Sequence, residues 1–172
     1  RLDKDQITEK IWLGNFNSAN NVVNLKKEGI KNILTIMDKA TPYYNKTDNF
    51  NHKAIKVSNE PTSNIIRHLG ECLNFIKGCD KILVHCMSGA SRSASIVIAY
   101  IMWEQKKNYE DAFDFVNKKR PVAFPNFGFR EQLKIFDKLL KIYLSNELSL
   151  SVLNAKLKIF ISIPSNISPA NF

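Results

Sequence analysis

The sequence predicts an α/β fold in which a mostly parallel central sheet is flanked by helices. Short apolar runs of strand length alternate along the chain with amphipathic stretches of helix length. This alternation is typical of a parallel sheet that helices cover. The chain has 172 residues, of which 44% are hydrophobic and 24% are charged, and this composition suits one soluble globular domain with a proper core.

The apolar runs predict four strands, at residues 11–13, 32–37, 53–57 and 82–84. The amphipathic stretches predict five helices, at residues 18–28, 65–77, 93–104, 109–119 and 128–144. Ser18 is expected to cap the first helix, and Gly29 and Gly78 are expected to follow the ends of the first two. The polar stretch 38–50 is expected to be a loop. A site is then expected at the carboxyl ends of the strands.

The most informative stretch is residues 84–93, which read V-H-C-M-S-G-A-S-R-S between a predicted strand and a predicted helix. A helix N-terminus and a nearby Arg lower the pKa of a thiol, so Cys86 has the setting of a nucleophile. Five residues separate Cys86 from Arg92, enough for a loop whose amides surround a dianion. Gly89 allows a backbone conformation that a Cβ would hinder, and Arg92 can donate two parallel hydrogen bonds to phosphate oxygens.

The neighbours of this loop have expected roles as well. The Ser93 hydroxyl can donate to the Cys86 sulfur and stabilise it as a leaving group, and His85 can hold the loop through backbone hydrogen bonds. The alternative for Cys86 is a small buried core residue, which is the usual role of a free cysteine. The Gly and Arg at these offsets favour the nucleophile. A Walker-type nucleotide loop is a poor fit because its Gly-Lys-Ser/Thr ending is absent.

The 84–93 stretch resembles the signature of cysteine-dependent phosphatases, and most of all that of the dual-specificity protein phosphatases. A second stretch, at residues 120–129 and followed by Gln132 and Leu133, is similar to another pattern of that family. A weaker similarity lies in residues 11–15 and 29–34. The resemblance covers about residues 5–144 and implies the cysteine-phosphatase fold.

The resemblance also implies a mechanism. Cys86 attacks phosphorus and forms a phosphocysteine intermediate, which water then hydrolyses. The phosphoryl oxygens are bound by Arg92 and by the loop amides of Met87, Ser88, Gly89, Ala90 and Ser91. Asn126 is expected either to support this loop through hydrogen bonds or to cap the following helix. No metal and no cofactor is expected, and no group of side chains has metal-ligand spacing.

The sequence departs from the family where a general acid is expected. The family uses an Asp to protonate the leaving oxygen, and the aligned position holds Asn59, which has no proton to give at useful pH. Three interpretations stay open. Asn59 is a natural or engineered replacement that weakens turnover, Glu60 serves as the acid, or another carboxylate such as Asp38 reaches the site. As an ordinary residue, Asn59 would belong to a turn before Pro61.

We therefore expect a protein phosphatase for phosphotyrosine and phosphoserine or phosphothreonine, acting on phosphorylated protein substrates. The first alternative is a phosphoprotein-binding pseudo-phosphatase whose acid is lost at Asn59. A lesser alternative is an RNA 5′-triphosphatase, although no nucleic-acid partner is expected. The loop residues Met87, Ser88, Ala90 and Ser91 are uncharged, and this disfavours a highly charged lipid headgroup as substrate.

The composition adds further expectations. Three cysteines at irregular spacing do not suggest a disulfide framework, so we expect a reducing compartment, the cytoplasm or the nucleus. A reversible disulfide to Cys86 stays open. The net charge of +9 is expected to lie mostly on scattered lysines, with residues 118–120 nearest to a patch.

The expected organisation of the chain is a catalytic domain at residues 1–145 and a tail or linker at residues 146–172. No run is long enough to span a membrane, and no signal peptide is recognised. Because the chain begins with Arg1, we expect it to be part of something longer. The side chains expected in the core near the second motif are Phe124, Phe127, Phe129, Leu133 and Phe136.

Overall fold

A computed structural model describes residues 3–144 and residue 155. Its strands are β1 (Lys4–Gln6), β2 (Ile11–Gly14), β3 (Asn32–Ile36), β4 (Asn51–Ile55) and β5 (Ile82–His85). Its helices are α1 (Phe16–Asn20), α2 (Val22–Lys27), α3 (Ile66–Lys77), α4 (Arg92–Glu104), α5 (Tyr109–Lys119) and α6 (Phe127–Leu144). Apart from residue 155, the predicted tail at 146–172 lies outside the described residues.

The five strands form one sheet in the order β1-β2-β5-β3-β4. The edge strand β1 is antiparallel to β2, and the other neighbouring pairs are parallel. The prediction of a mostly parallel sheet is therefore confirmed. Along β5, His85 is level with Gly14 of β2 on one side and with Thr35 of β3 on the other. The residue after His85 thus emerges from the middle of the sheet, at its carboxyl edge.

Helix α4 forms the centre of the helical layer. It is buried from Arg92 to Met102 and packs against α3, α5, α6 and the sheet. Its apolar side chains occur on all sides, as expected of a helix surrounded by protein. Each aliphatic side chain that is fully buried here contributes about 1.5–3 kcal/mol to folding. The helix that begins at the Cys86 loop is consequently among the most rigidly held parts of the molecule.

Several predicted elements agree closely with the structure. The α5 bounds match the predicted 109–119, and α3 ends at Gly78 as expected. Gly29 follows α2 with φ at +71°, the left-handed conformation that ends helices. Strand β4 lies two residues earlier than the predicted 53–57, at Asn51–Ile55. Strand β1 was not predicted, because Lys4–Gln6 is polar and has no apolar alternation.

The expected cap at Ser18 is wrong. Ser18 is buried inside α1, and its hydroxyl donates to the backbone oxygens of Asn15 and Asp3. Asn15 caps α1 instead, since its side chain accepts from the Ser18 N–H at 2.9 Å. Asn21 caps a second helix by accepting from the Asn24 N–H at 2.9 Å. Asn side chains compete for backbone groups in this way, and here they divide the single predicted helix into two.

Two side chains expected in the core are on the surface. Phe124 is 54% exposed and Phe127 is 65% exposed, whereas Phe129, Leu133 and Phe136 are fully buried. Phe124 belongs to the segment before α6, and Phe127 is the first residue of that helix, so neither follows the buried stripe of α6. In the described part of the chain, no helix is both long enough and apolar enough to cross a membrane.

Candidate active site

The Cys86 loop, residues 86–91, joins the end of β5 to the start of α4. The Cys86 sulfur accepts a hydrogen bond from the Gly89 N–H at 3.3 Å and another from Ser93 Oγ at 3.1 Å. Burial alone would raise the pKa of this thiol. The hydrogen bonds from Ser93 and Gly89, together with the charge of Arg92, outweigh burial and lower the pKa. The thiolate of Cys86 is thus favoured by the fold itself.

Gly89 has φ at +67°, a conformation that side chains rarely adopt. A Cβ at this position would also lie 2.5 Å from the backbone oxygen of Gly14, on the neighbouring strand β2. The expectation that Gly89 permits a special backbone conformation is confirmed. Among the described residues, the backbone N–H groups of Ser88, Ala90 and Ser91 have no acceptor. Backbone donors without acceptors at a helix N-terminus form a site for an anion.

Arg92, the first residue of α4, lies beside this loop and is almost buried. Its Nη1 donates to Asp38 Oδ1 at 2.8 Å and to the backbone oxygen of Val57 at 3.0 Å. These two bonds fix the guanidinium between the ends of β3 and β4. The Arg92 Nε is buried and has no hydrogen-bond partner among the described residues. A buried donor without an acceptor is unfavourable unless a ligand satisfies it.

Asp38, one of the candidate acids, is the carboxylate that holds Arg92. Desolvation raises its pKa, but a backbone hydrogen bond and the Arg92 guanidinium have the larger combined effect, and the net pKa is lowered. A carboxylate that stays ionised and is already paired with a cation is a poor proton donor. The geometry therefore favours a positioning role for Asp38 over that of a general acid.

His85 sits beneath the loop at the end of β5 and is fully buried. Its Nδ1 lies 3.1 Å from the Cys86 backbone oxygen, and its Nε2 lies 2.6 Å from Thr35 Oγ1. Burial lowers the pKa of His85 to about 4, so the ring is neutral near pH 7. A carbonyl only accepts, so Nδ1 carries the proton and Nε2 accepts from the Thr35 hydroxyl. Thr35 in turn accepts from His52 Nε2 at 2.8 Å.

Arg120 is a contributor to the site that the sequence did not reveal. It was expected to belong to a surface patch at 118–120, but it is fully buried, and only Lys118 and Lys119 are exposed. Its Nε and Nη2 donate to the backbone oxygens of Gly89 at 2.9 Å and Ser88 at 3.1 Å. The sequence feature that could have indicated this role is the position of Arg120 at the start of residues 120–129, the second stretch that is similar to the family.

The Arg120 charge is balanced by Asp5 of β1 and by Asp3, which precedes that strand. Its Nη1 lies 2.7 Å from Asp3 Oδ1 and 2.7 Å from Asp5 Oδ2. Since both carboxylates are about half exposed, the buried charge is compensated while the carboxylates keep part of their hydration. The outermost strand of the sheet is thereby connected to the carbonyl side of the Cys86 loop.

Asn126 fulfils both of the roles that were left open for it. Its backbone N–H donates to Ser91 Oγ at 2.9 Å, which ties the segment before α6 to the Cys86 loop. Its Oδ1 accepts from the Phe129 N–H at 2.9 Å, which caps α6. Its Nδ2 donates to Asn59 Oδ1 at 3.2 Å. Asn126 therefore links Asn59 to Ser91 of the Cys86 loop.

The segment that carries Asn59 and Glu60 is held from α6. Gln132 accepts from the N–H groups of Ile65 and Ile66 and donates from its Nε2 to the Ser63 oxygen at 2.9 Å. A Cβ on Gly128 would lie 1.8 Å from the Pro61 oxygen, so this segment rests directly on the helix backbone. Asn59 and Glu60 are both exposed, as are the loop residues Met87 and Ser88.

Outside the Cys86 loop, the described residues contain no second centre built from cysteines or possible metal ligands. Cys72, Cys79 and Cys86 are all free thiols. Burial raises the pKa of the Cys79 thiol, and it raises that of Cys72 even further. Within residues 3–144, no group of three His, Cys, Asp or Glu side chains is placed to hold a metal ion.

The comparisons with known proteins agree with this geometry. The family model described as "Dual specificity phosphatase, catalytic domain" matches residues 11–138. Over 138 residues, the chain is 36% identical to Dual specificity protein phosphatase 22 of Homo sapiens, covering 78% of this chain and 73% of that protein. The protein of the same name from Xenopus tropicalis is also 36% identical, and there the chain spans 65% of the relative, just under two thirds of its length.

A solved structure shows the same fold. The human tyrosine phosphatase-like serine/threonine/tyrosine-interacting protein is 34% identical, with a TM-score of 0.77 over 84% of this chain and 99% of that one. The expected cysteine-phosphatase fold is thus confirmed. Given the family model and these identities, the chain belongs to the dual specificity phosphatase family and carries its catalytic domain.

Proposed function

We propose that this chain hydrolyses phosphate monoesters on proteins, with Cys86 as the nucleophile. The observation that carries the proposal is the Cys86 sulfur itself, which two hydrogen bonds and a neighbouring guanidinium stabilise as a thiolate. Around it, the free loop amides and the unpartnered Arg92 Nε supply donors for the three oxygens of a phosphoryl group. Phosphoryl transfer needs little beyond such positioned donors and an activated nucleophile.

In the first step, the Cys86 thiolate forms a bond to phosphorus while the ester bond from phosphorus to the side-chain oxygen breaks. The alcohol or phenol oxygen leaves with the electron pair and must gain a proton. In the second step, water attacks phosphorus, the sulfur–phosphorus bond breaks, and inorganic phosphate is released. Ser93 donates to the departing sulfur, so the thiolate is regenerated in the form that the loop stabilises.

The proposed substrates are phosphotyrosine and phosphoserine or phosphothreonine residues of proteins. Two residues of the Cys86 loop, Met87 and Ser88, are exposed, and so are Asn59 and Glu60. A shallow, open setting of this kind admits phosphorylated side chains of different length. Residues 86–91 of the loop carry no cation, and Arg92 follows them directly, which supports a singly phosphorylated side chain as substrate over a highly charged headgroup.

The test is hydrolysis of an aryl phosphate by the wild-type chain, by Cys86→Ser and by Cys79→Ser. Cys86→Ser is expected to abolish release of the phenol, because a neutral hydroxyl replaces the stabilised thiolate. Cys79→Ser is expected to retain the activity, since that thiol lies outside the loop. Equal rates for Cys86→Ser and the wild type would overturn the proposal. RNA carrying a 5′-triphosphate is tested as a second substrate. If the chain hydrolyses this RNA faster than the aryl phosphate, the result would favour an RNA 5′-triphosphatase.

A second candidate function is supported by one contact. Asn59, which stands where the family has its acid, is bound to Asn126 through its amide oxygen. A chain with an intact loop and no proton donor would bind phosphoproteins and hydrolyse them slowly. Two measurements distinguish such a phosphoprotein-binding pseudo-phosphatase from an active enzyme. Cys86→Ser should bind a phosphopeptide tightly, and the wild type should show negligible turnover of phosphoserine.

We also propose that the chain works in a reducing compartment, the cytoplasm or the nucleus. All three thiols are free, and the thiol that carries the chemistry is the one whose pKa is lowered. A stabilised thiolate is readily oxidised, so its function depends on reducing conditions.

A further inference from the structure

Beside the Cys86 loop, an arginine lies against two exposed phenyl rings. The Arg130 guanidinium carbon is 4.6 Å from the ring centre of Phe124 and 5.9 Å from that of Phe127. We call these three residues the Arg130 clamp. Phe113 of α5 contacts Phe124 edge-to-face, with ring centres 5.8 Å apart, which fixes one side of the clamp. Since the rings are 54% and 65% exposed, the clamp stands at the protein surface.

The charge of Arg130 is not balanced by a carboxylate in the described part of the chain. Among the described residues, no carboxylate forms an ion pair with Arg130, and its Nε is buried without an acceptor. The adjacent carboxylate, Glu131, is paired with Lys134 at 3.0 Å. Contact with aromatic rings occupies the face of a guanidinium and leaves the N–H donors in its plane available. A cation held in one orientation loses little conformational freedom on binding an anion.

The clamp lies next to the proposed site of reaction. The Phe124 N–H donates to the Ala90 oxygen of the Cys86 loop at 2.7 Å. Asn126, two residues on, donates to Ser91 Oγ and contacts Asn59. Arg130 follows Asn126 by one helical turn, and its N–H donates to the Asn126 oxygen at 3.0 Å. The backbone of residues 124–126 thus joins the Arg130 clamp directly to the Cys86 loop.

We propose that the Arg130 clamp is a second anion subsite, which selects phosphoproteins with an acidic or phosphorylated side chain close to the reacting residue. This inference rests on the proposed function, because it names the substrate class of the same site. The carboxylate or phosphate binds the in-plane donors of Arg130, and the exposed rings contact the aliphatic part of the flanking side chain. The basic net charge of the chain acts in the same direction by attracting acidic segments.

The test uses pairs of phosphotyrosine peptides that differ at one flanking residue, which is Glu in one peptide and Gln in the other. One such pair is made for each flanking position on both sides of the phosphotyrosine. At the best position, kcat/KM is expected to favour the Glu peptide by roughly fivefold at low salt, which is the scale of a well-oriented ion pair near a surface. In Arg130→Gln this ratio is expected to fall to about one, and in Arg130→Lys to an intermediate value. Lys138→Gln removes an exposed lysine two turns further along α6, so it is the matched control and is expected to keep the wild-type ratio.

Since the readout is a ratio between two peptides, a general loss of activity in a variant does not affect it. A wild-type enzyme with no preference for Glu at any position would overturn the inference, as would a preference that survives Arg130→Gln. If the wild type hydrolyses no aryl phosphate, the proposed function fails instead. The clamp is then tested by the affinity of the same peptides for Cys86→Ser, with and without Arg130→Gln, and an unchanged affinity ratio would reject it.

Discussion

Asn126 Nδ2 donates a hydrogen bond to Asn59 Oδ1 across 3.2 Å, which joins the segment after β4 to the start of α6. Asn126 is itself fixed twice, by its bond to Ser91 and by its role as helix cap. Asn59 is therefore tied, through Asn126, to Ser91 of the Cys86 loop. We propose that it occupies the position of the family's general acid, where an amide keeps the hydrogen bond and supplies no proton.

Replacing Asn59 by Asp is expected to restore general-acid catalysis. The new carboxyl keeps an oxygen for the Asn126 amide and adds a proton for the leaving group. Turnover of phosphoserine is expected to rise by about 10²–10⁴-fold. An activated aryl phosphate should gain less, because its leaving group needs little protonation. The kcat/KM profile of Asn59→Asp should also acquire a limb that falls as pH rises, when the carboxyl loses its proton.

Glu60 provides the control for this experiment. If it were the acid, Glu60→Gln would lower phosphoserine turnover by a similar factor in the wild type, and Asn59→Asp would add little. Because Asn59 is hydrogen-bonded to Asn126 and the Glu60 side chain forms no hydrogen bond or ion pair within residues 3–144, we expect Glu60→Gln to have a small effect. A large loss in Glu60→Gln would assign the acid to that residue.

Gly128→Ala is expected to displace the segment that carries Asn59. The new Cβ would clash with the Pro61 backbone oxygen, so the backbone of the Pro61 segment would have to move away from α6. Overpacking of this kind costs about 1–3 kcal/mol of unfolding free energy, and kcat on aryl phosphate should fall as the segment moves. Denaturant unfolding and steady-state kinetics measure the two effects.

Gly78→Ala is the matched control for this substitution. Gly78 has φ at −77°, and its Cβ would meet atoms no closer than 3.7 Å. This variant should be as stable as the wild type, or more stable by up to about 1 kcal/mol. If the two variants had equal stability, the close packing of Pro61 on α6 would be contradicted.

Ser93→Ala is expected to raise the pKa of Cys86, because it removes the 3.1 Å hydrogen bond to the sulfur. The thiolate is the reactive form, so the limb of kcat/KM that rises with pH should move to higher pH. The rate of alkylation by iodoacetamide, followed against pH, reports the same ionisation without the chemistry of the substrate. Ser93→Thr retains a hydroxyl and should restore the profile in part. Superimposable alkylation profiles for Ser93→Ala and the wild type would show that the hydrogen bond has no such effect.

The parts of the molecule that sequence patterns could predict are those set by local physics. Strands β2, β3 and β5 are short apolar runs, and α5 is an amphipathic stretch with Asn108 at its start. The Cys86 loop was also predictable, because Gly89 and Arg92 stand at fixed offsets from the thiol. In these cases a few neighbouring residues determine the conformation.

The parts that could not be predicted depend on residues far apart in the chain. Arg120 reaches Asp3 and Asp5 across more than a hundred positions, and neither the polar β1 nor a basic run indicates such a contact. Asp38 was one of several carboxylates near the site, and only the folded chain places it on Arg92. The exposure of Phe124 likewise follows from where its segment crosses the Cys86 loop, not from its own side chain.

The burial of neutral His85 has a consequence for stability at acid pH. Its pKa is about 4 in the folded chain, against an ordinary value near 6.5 when unfolded. Between these values the unfolded chain binds a proton that the folded chain does not, so protonation favours unfolding. The free energy of unfolding should therefore fall as pH drops from 6.5 to 4, by about 3 kcal/mol from this group. Above pH 6.5 neither state binds the proton, and the contribution is constant.

Urea unfolding between pH 4 and pH 6.5 measures how much of the pH dependence of stability comes from His85 and how much from the other histidines. His85→Gln should be less stable near neutral pH, because the Cys86 oxygen and Thr35 lose a partner, but its stability should fall less steeply as the pH decreases. His68, a half-buried residue of α3 whose pKa burial also lowers, is the control, and His68→Gln should leave most of the wild-type slope in place. An unaltered slope in His85→Gln would mean that this ring does not stay neutral under the loop. The loss of hydrogen bonds lowers the free energy of unfolding near neutral pH, whereas the loss of the titrating group changes its slope against pH. The two effects are therefore measured separately.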